Sequence, residues 1–142
     1  QQEDVDRISA APYVAIGSDG SSLRTSGPLS AGSPHPRSYG TFPRFLAQVR
    51  DDSITDLEDA IRKMTTLPAE RLGLARRGRL SPGYFADVVV LDPSTVTDHA
   101  TFEDPHQYSV GIEDVFVNGV PVVTGGVSTG ETPGRVIRQS NE

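Results

Sequence analysis

The sequence has 142 residues, of which 35% are hydrophobic and 23% charged, proportions that are ordinary for a globular domain. Its formal net charge of −6 offers no basic surface and argues against a protein that binds nucleic acid. The absence of cysteine excludes a disulfide framework and any thiolate metal site, and no apolar run approaches the roughly 20 residues that a membrane helix needs.

The first predicted strand ends at a small polar turn that carries one carboxylate. An apolar run at residues 13–17 is followed by Ser18, Asp19 and Gly20. Barrel enzymes mount catalytic groups in this way, on a loop that directly follows a strand. Most Asp-Gly pairs are nevertheless ordinary turns, so the spacing alone leaves a catalytic and a structural interpretation of Asp19 open.

The next segment, residues 20–44, is predicted to be a loop because its glycines and prolines are too frequent for a helix or a paired strand. A loop this long in a compact domain is usually functional or disordered. Tyr39, Phe42, Arg37 and Arg44 are interleaved with the breakers, which favours a functional loop. If this loop brings its arginines back near Asp19, their positive charge suggests an anionic substrate.

Helices are predicted after this loop. Residues 44–49 form a helical piece that packs three apolar side chains, and Thr55 with Glu58 fits a capping box that begins a helix of about three turns. A short helix over residues 69–72 ends at Gly73, the residue type expected just past a helix end. The apolar positions of these helices are interpreted as core; they include Phe45, Leu46, Val49, Leu57, Ala60, Ile61 and Met64.

The last part of the chain has the shorter period of β-structure. Residues 86–92 predict a buried strand, and residues 112–117 predict a second one. Asn118 and Gly119 separate this second strand from the apolar residues 120–123, which is a strong signal for a two-residue hairpin with a type I′ turn. Pro121 has no N–H to donate, so the returning strand should lie at an edge or contain a local irregularity.

Several motifs occur in a fixed order and together resemble one family. They are GSDG at 17–20, HPRSYGTFPR at 35–44, the helical segment 61–69, the stretch GYFADVVVLDP at 83–93, ATFE at 100–103 and VNG at 117–119. In this order they resemble the C-terminal part of the N-acyl-D-amino-acid deacylases (D-aminoacylases), a branch of the metal-dependent amidohydrolase superfamily. The stretch ADVVVLDP alone is shared with hydantoinases and dihydroorotases, whereas HPRSYGTFPR and ATFEDP narrow the resemblance to the deacylases.

The resemblance implies an α/β fold, namely the C-terminal fragment of a (β/α)8-barrel hydrolase joined to part of a small β-sandwich. Residues 1–75 would supply the last barrel strand, the active-site loop and the terminal helices, and residues 76–142 the β-rich C-terminal part of the sandwich. With 142 residues the chain is about half of a minimal barrel, so we expect a piece of a longer or multi-chain enzyme. No cleavable leader precedes the first predicted helix, so we also expect a cytoplasmic protein that binds no membrane.

The resemblance also implies a reaction, the hydrolysis of an N-acyl-D-amino acid to a D-amino acid and a carboxylate with the help of zinc. Asp19 matches the acid that touches the catalytic metal and handles the proton of the attacking water. Arg37 matches the residue that binds the α-carboxylate of the substrate, a role that suits the two parallel donors of a guanidinium.

Most of the zinc ligands are expected upstream of this chain. His35, His99 and His106 form neither a His-x-His pair nor an i, i+4 pair, so they are poor candidates for ligands. His35 is interpreted as orienting the loop. The chain is therefore expected to be inactive without an upstream segment or a second chain that completes the metal site.

Two alternatives to the deacylase remain at the level of sequence. One is a related cyclic-amide hydrolase of the hydantoinase or dihydroorotase type, which the ADVVVLDP stretch fits equally well. The other is a non-catalytic β-rich interaction module that pairs with a partner through the hairpin at Asn118-Gly119 and an exposed strand edge.

Overall fold

The computed structural model describes residues 1–137, with helices in the first half of the chain and an antiparallel sheet in the second. The helices are α1 (Gln2–Ala10), α2 (Arg37–Asp52), α3 (Leu57–Met64) and α4 (Thr66–Arg71), with one 3₁₀ turn at Pro28–Ser30. The strands are β1 (Val88–Leu91), β2 (Ile112–Val117), β3 (Val120–Thr124) and β4 (Val127–Ser128). Within residues 1–137, no helix is both long and apolar enough to cross a membrane.

The predicted strand at residues 13–17 is not formed, and this prediction is wrong. A strand requires a ladder of hydrogen bonds to a neighbouring strand. The four strands of the described sheet pair only within the order β1-β2-β3-β4, and none of them pairs with residues 13–17. Residues 14–20 have no regular structure, although the Ile16 amide donates to the Lys63 carbonyl at 3.2 Å.

Helix α2 begins at Arg37, so the prediction of a loop as far as residue 44 is wrong for residues 37–44. Gly40 and Pro43, which pointed to a loop, are both buried inside this helix. A side chain at position 40 would collide with Asp98, since an added Cβ would lie 2.8 Å from the Asp98 Cβ. Glycine is therefore required here by a close approach, and it does not end the helix.

Helix α3 begins one residue later than the predicted capping box requires. Its N-cap is Asp56, whose carboxylate accepts a 2.7 Å hydrogen bond from the Asp59 amide. Thr55 instead donates its hydroxyl to the Asp59 carboxylate at 3.0 Å. An aspartate satisfies a free N–H at a helix start as well as threonine does, so either residue could have served as the cap.

The sheet has the order β1-β2-β3-β4, and all its neighbouring strands are antiparallel. Asn118 and Gly119 connect β2 to β3 with φ angles of 50° and 82°, which confirms a turn with positive φ at both central residues. Pro121 lies opposite Phe116 in an interior strand, next to a register irregularity between Val115 and Phe116. The irregularity accommodates the missing donor, as the second of the two sequence-based options anticipated.

The core lies where α2 and α3 meet the segment after β1. Its buried members are Phe45, Leu46, Val49, Ala60 and Val96, and the partly buried Ile16, Met64, Leu91 and Ile112 pack against them. The interpretation of Phe45, Leu46, Val49 and Ala60 as core is thus confirmed. Leu57 and Ile61 remain 38% and 36% exposed, so the outer part of the apolar stripe on α3 is not covered by the described residues.

Candidate active site around Asp19 and Arg37

Asp19 lies at the end of the irregular segment that follows α1, with an unusual backbone conformation. Its φ of 47° is in the left-handed region, which a non-glycine residue seldom adopts and which is more frequent for aspartate than for most others. Gly20, the next residue, approaches α2 so closely that an added Cβ would lie 2.8 Å from the Ser38 Cα. The turn therefore presents the Asp19 side chain outward, and this side chain is 88% exposed.

Arg37 contacts Asp19 at two places. Its Nη2 lies 2.8 Å from the Asp19 Oδ2, and its Nε donates to the Asp19 carbonyl at 3.1 Å. One guanidinium thus binds both the side chain and the backbone of the same residue. The chain returns to Asp19 at the first residue of α2, so a helix start rather than a mobile loop places the cation.

His35 supports the start of α2 and does not face Asp19 in the contacts described. Its Nδ1 accepts a 3.1 Å hydrogen bond from the Arg37 amide, which is one of the amides that a helix start leaves without an intrahelical acceptor. Its ring packs edge-to-face against Phe102, with 4.8 Å between the ring centroids. These contacts agree with the interpretation that His35 orients this part of the chain.

The two other arginines near this segment have different contacts. Arg44 binds Asp98 through Nε at 2.9 Å and Nη2 at 2.7 Å, and the Asp98 side chain is only 11% exposed. Arg24 is exposed, and its carbonyl accepts a 2.8 Å hydrogen bond from the Tyr39 hydroxyl. Among the ion pairs of residues 1–137, Asp19 therefore occurs only with Arg37.

A cleft of about 220 Å³ opens beside Arg37, between the first turns of α2 and the segment 98–103. Both charge signs line it, with Arg37 and Arg44 on the helix and Asp98 and Glu103 opposite. Phe102 adds an apolar wall. Arg44 and Asp98 bind each other, so Arg37 is the cation of this lining that a small anionic molecule could bind.

Of the two other histidines, His99 is exposed and His106 belongs to a group of aromatic rings with Tyr39 and Tyr108. The Nε2 of His106 is buried and has no hydrogen-bond partner among the described residues. Its ring packs against Tyr39 with 6.0 Å between centroids, and Tyr39 packs in the same way on Tyr108. Burial, together with the neighbouring Tyr108, raises the pKa of Tyr39. The Tyr39 hydroxyl of this aromatic group binds the loop at the Arg24 carbonyl. No pattern in the sequence indicated this contact.

Sequence reasoning also gave no role to the polar side chains at the end of α3. Lys63 is completely buried and lies 3.6 Å from the Asp59 carboxylate, which also binds Arg62 at 2.7 Å. The i, i+3 and i, i+4 spacing of Asp59, Arg62 and Lys63 was the available signal, because such residues are neighbours on a helix surface.

Among the described residues, the site offers a single candidate metal ligand, the Asp19 carboxylate. Across residues 1–137, no three side chains of the types His, Asp or Glu cluster closely enough to hold a metal ion. Asp19 is exposed and has two carboxylate oxygens, so it fits the part of one oxygen ligand to a divalent ion.

Comparisons with known proteins show what the chain is similar to. Residues 12–123 match the model of the "Amidohydrolase family". Three curated proteins of Alcaligenes xylosoxydans xylosoxydans are similar: a D-aminoacylase (48% identical over 98% of this chain), an N-acyl-D-aspartate deacylase (45% over 96%) and an N-acyl-D-glutamate deacylase (44% over 97%). The chain spans 28%, 26% and 27% of their lengths.

Solved structures of proteins with the same kinds of names also match this chain. A D-aminoacylase studied for the functional role of its binuclear metal centre matches 97% of this chain and 28% of its own, with a TM-score of 0.87 and 46% identity. The N-acyl-D-glutamate deacylase of Bordetella bronchiseptica, solved with zinc and a phosphonate inhibitor, covers 86% of this chain and 24% of its own at a TM-score of 0.77 and 45% identity. The described fold is thus similar to one part of each of these two structures.

Proposed function

Because this chain belongs to the amidohydrolase family, we propose that it is the C-terminal portion of a zinc-dependent N-acyl-D-amino-acid deacylase. The reaction is the hydrolysis of the amide of an N-acyl-D-amino acid, which yields a D-amino acid and a carboxylate. The observation that carries this proposal is identity of 44–48% with three named deacylases over nearly all of the chain. The pairing of Asp19 with Arg37 gives it a chemical basis.

Asp19 is proposed as the acid/base residue. Its carboxylate is exposed, so it can reach the attacking water, accept its proton and return that proton to the departing amine nitrogen. A zinc ion, when bound, supplies a water of lowered pKa. Asp19 would hold that ion through one oxygen, and the remaining ligands would come from polypeptide outside residues 1–142.

Arg37 is proposed as the anchor for the α-carboxylate of the substrate. Its contacts with Asp19 use Nε and Nη2, and a guanidinium has five N–H donors in all. A substrate carboxylate would therefore bind beside Asp19, on the same cation. This arrangement fixes the distance between the carboxylate of the substrate and the group that handles the proton.

The division of the chain is part of the same proposal. We assign residues 1–75 to the last strand, active-site loop and terminal helices of the barrel, and residues 76–142 to the β-rich part of the small sandwich. Residues 13–17 would form that last strand only when they pair with barrel strands from polypeptide outside residues 1–142. All four helices precede residue 76 and all four strands follow it in the described residues, which supports the boundary. The cytoplasmic location stays a prediction.

The test measures amine release by the zinc-loaded, full-length protein from the N-acetyl forms of D-leucine, D-aspartate and D-glutamate and from their L enantiomers. We expect hydrolysis of D substrates only, and a loss of kcat of about 10²- to 10⁴-fold in Asp19→Asn. Asp52→Asn, an exposed aspartate at the end of α2, is the matched control and should leave kcat unchanged. Turnover of no D substrate, or full activity of Asp19→Asn, would overturn the proposal.

A further inference from the structure

Lys63 is the only charged side chain among the fully buried residues of the described chain, with no exposed surface at all. Its ammonium donates to the carbonyl of Ala11 and lies 3.6 Å from the Asp59 carboxylate. Burying a charge costs free energy unless hydrogen bonds and an opposite charge offset it. Lys63 has both, and its hydrogen bond leads directly to the segment that precedes Asp19.

Arg62, the neighbouring residue, makes the same kind of connection. Its Nη2 donates to the Pro12 carbonyl at 2.6 Å, while its Nε binds Asp59 at 2.8 Å. Asp59 therefore lies between two cations, and each of them holds one of two consecutive carbonyls. Thr55 donates to the same carboxylate and fixes its orientation.

The backbone of α3 supplies a third contact. The Lys63 carbonyl accepts from the Ile16 amide at 3.2 Å, and Ile16 also packs against the core. Residues 11, 12 and 16 are thus all bound to the last turn of α3. These three hydrogen bonds and the packing of Ile16 set the course of residues 11–16 toward Asp19 in the described structure.

We propose that Lys63 is a positioning residue for the reaction, which with Asp59 and Arg62 fixes the path of residues 11–16 and so the place of the Asp19 carboxylate. This inference rests on the proposed role of Asp19 as the acid/base residue. Asp19 lies three residues beyond Ile16, and a shift of about 1 Å in a catalytic group can cost about 10²-fold in rate. Lys63 touches neither substrate nor Asp19 and acts only through the segment.

The experiment compares Lys63→Met with Arg71→Met in the zinc-loaded, full-length protein. Methionine keeps much of the apolar length of lysine and removes the donor, and Arg71 is an exposed cation on α4 that serves as the matched control. For Lys63→Met we expect kcat to fall about 10- to 100-fold while KM stays within about threefold. Hydrogen exchange at the Ile16 amide should become faster, and that at the β2 amides should not.

If Lys63→Met does not fold, Arg62→Met decides, because its side chain is 38% exposed and its loss removes the bond to Pro12. The same fall of kcat and faster exchange at Ile16 support the inference. A folded variant with unchanged kcat and unchanged exchange at Ile16 overturns it. Asp19→Asn is measured in parallel: if it is fully active, the proposed function fails, and exchange at Ile16 then decides alone whether Lys63 positions the segment.

Discussion

The guanidinium of Arg37 binds Asp19 twice, through Nη2 to the carboxylate at 2.8 Å and through Nε to the carbonyl at 3.1 Å. The Asp19 side chain is 88% exposed and that of Arg37 is 46% exposed, so the pair itself adds little to stability. Its value is geometric, because it holds a cation and an acid side by side. A substrate carboxylate that binds Arg37 would share this guanidinium with the Asp19 carboxylate.

Arg37→Ala should raise KM for N-acetyl-D-amino acids, because it removes a charged hydrogen-bond donor to their carboxylate. We expect kcat/KM to fall about 10- to 100-fold. Arg37→Lys should recover only part of this loss, since an ammonium cannot form the parallel pair of hydrogen bonds. Arg24→Lys, at an exposed arginine of the adjoining loop, is the control and should behave as the parent.

Steady-state kinetics with a second substrate separates anchoring from support of Asp19. The carboxamide of the same N-acetyl-D-amino acid has no charge for Arg37 to bind. Arg37→Ala should therefore lower kcat/KM for the acid much more than for the carboxamide. Equal losses for both substrates would mean that Arg37 serves only to hold Asp19.

Asp59 should make the protein sensitive to acid. Burial opposes its ionisation, but hydrogen bonds from Arg62 and Thr55, together with the charges of Lys63 and Arg62, hold the pKa of Asp59 below its usual range. A carboxyl whose pKa is lower in the folded state contributes stability above its unfolded pKa of about 3.9, and that contribution is lost as pH falls through the folded pKa.

Asp59→Asn should therefore lower the free energy of unfolding at neutral pH by about 3 kcal/mol, because it leaves buried Lys63 without its counter-charge. The difference from the parent should shrink as the pH falls below about 4. Urea unfolding at several pH values measures this, with Asp52→Asn as the exposed control. A difference that stays constant down to the lowest pH would contradict the assigned role of Asp59.

Gly40→Ala should destabilise the protein, although alanine ordinarily favours a helix by about 1 kcal/mol over glycine. The new methyl group would lie 2.8 Å from both the Cβ and the Oδ2 of Asp98, which two hydrogen bonds from Arg44 hold in place. We expect a net loss of about 1–3 kcal/mol in the free energy of unfolding.

Thermal unfolding of Gly40→Ala beside Gly134→Ala tests the clash directly. No described atom outside its immediate chain neighbours lies within 4 Å of the place where a Cβ on Gly134 would stand, so that variant should unfold as the parent does. An increase of Tm in Gly40→Ala would show that Asp98 moves away at little cost and that the close approach is not a constraint.

The elements that local sequence determines were predicted well. Asn118-Gly119 has the two positive φ values that its type of turn requires, and this preference belongs to the residues themselves. Gly73, just past α4, likewise has a φ of 64°. Membership of the amidohydrolase superfamily was predicted from ordered motifs, and the match to the amidohydrolase family over residues 12–123 confirms it.

The errors have a different physical origin. Gly40 and Pro43 predicted a loop, yet both lie within α2. Position 40 is a glycine because Asp98, distant in sequence, leaves no room for a side chain there. The apolar run at 13–17 predicted a strand, but strand formation depends on a neighbour that the run cannot specify. The contacts of Lys63 with Ala11 join positions too far apart in the chain for a periodic pattern to reveal.

Residues 20–36 lie between Asp19 and Arg37, so the ion pair joins the two ends of this segment. Further inside, the Tyr39 hydroxyl holds the Arg24 carbonyl at 2.8 Å. The entropy of a closed loop changes slowly with its length, by about 0.6 kcal/mol for each doubling. Insertions near the 3₁₀ turn would therefore leave Asp19 and Arg37 in contact. This segment is thus a suitable place to engineer a new substrate specificity.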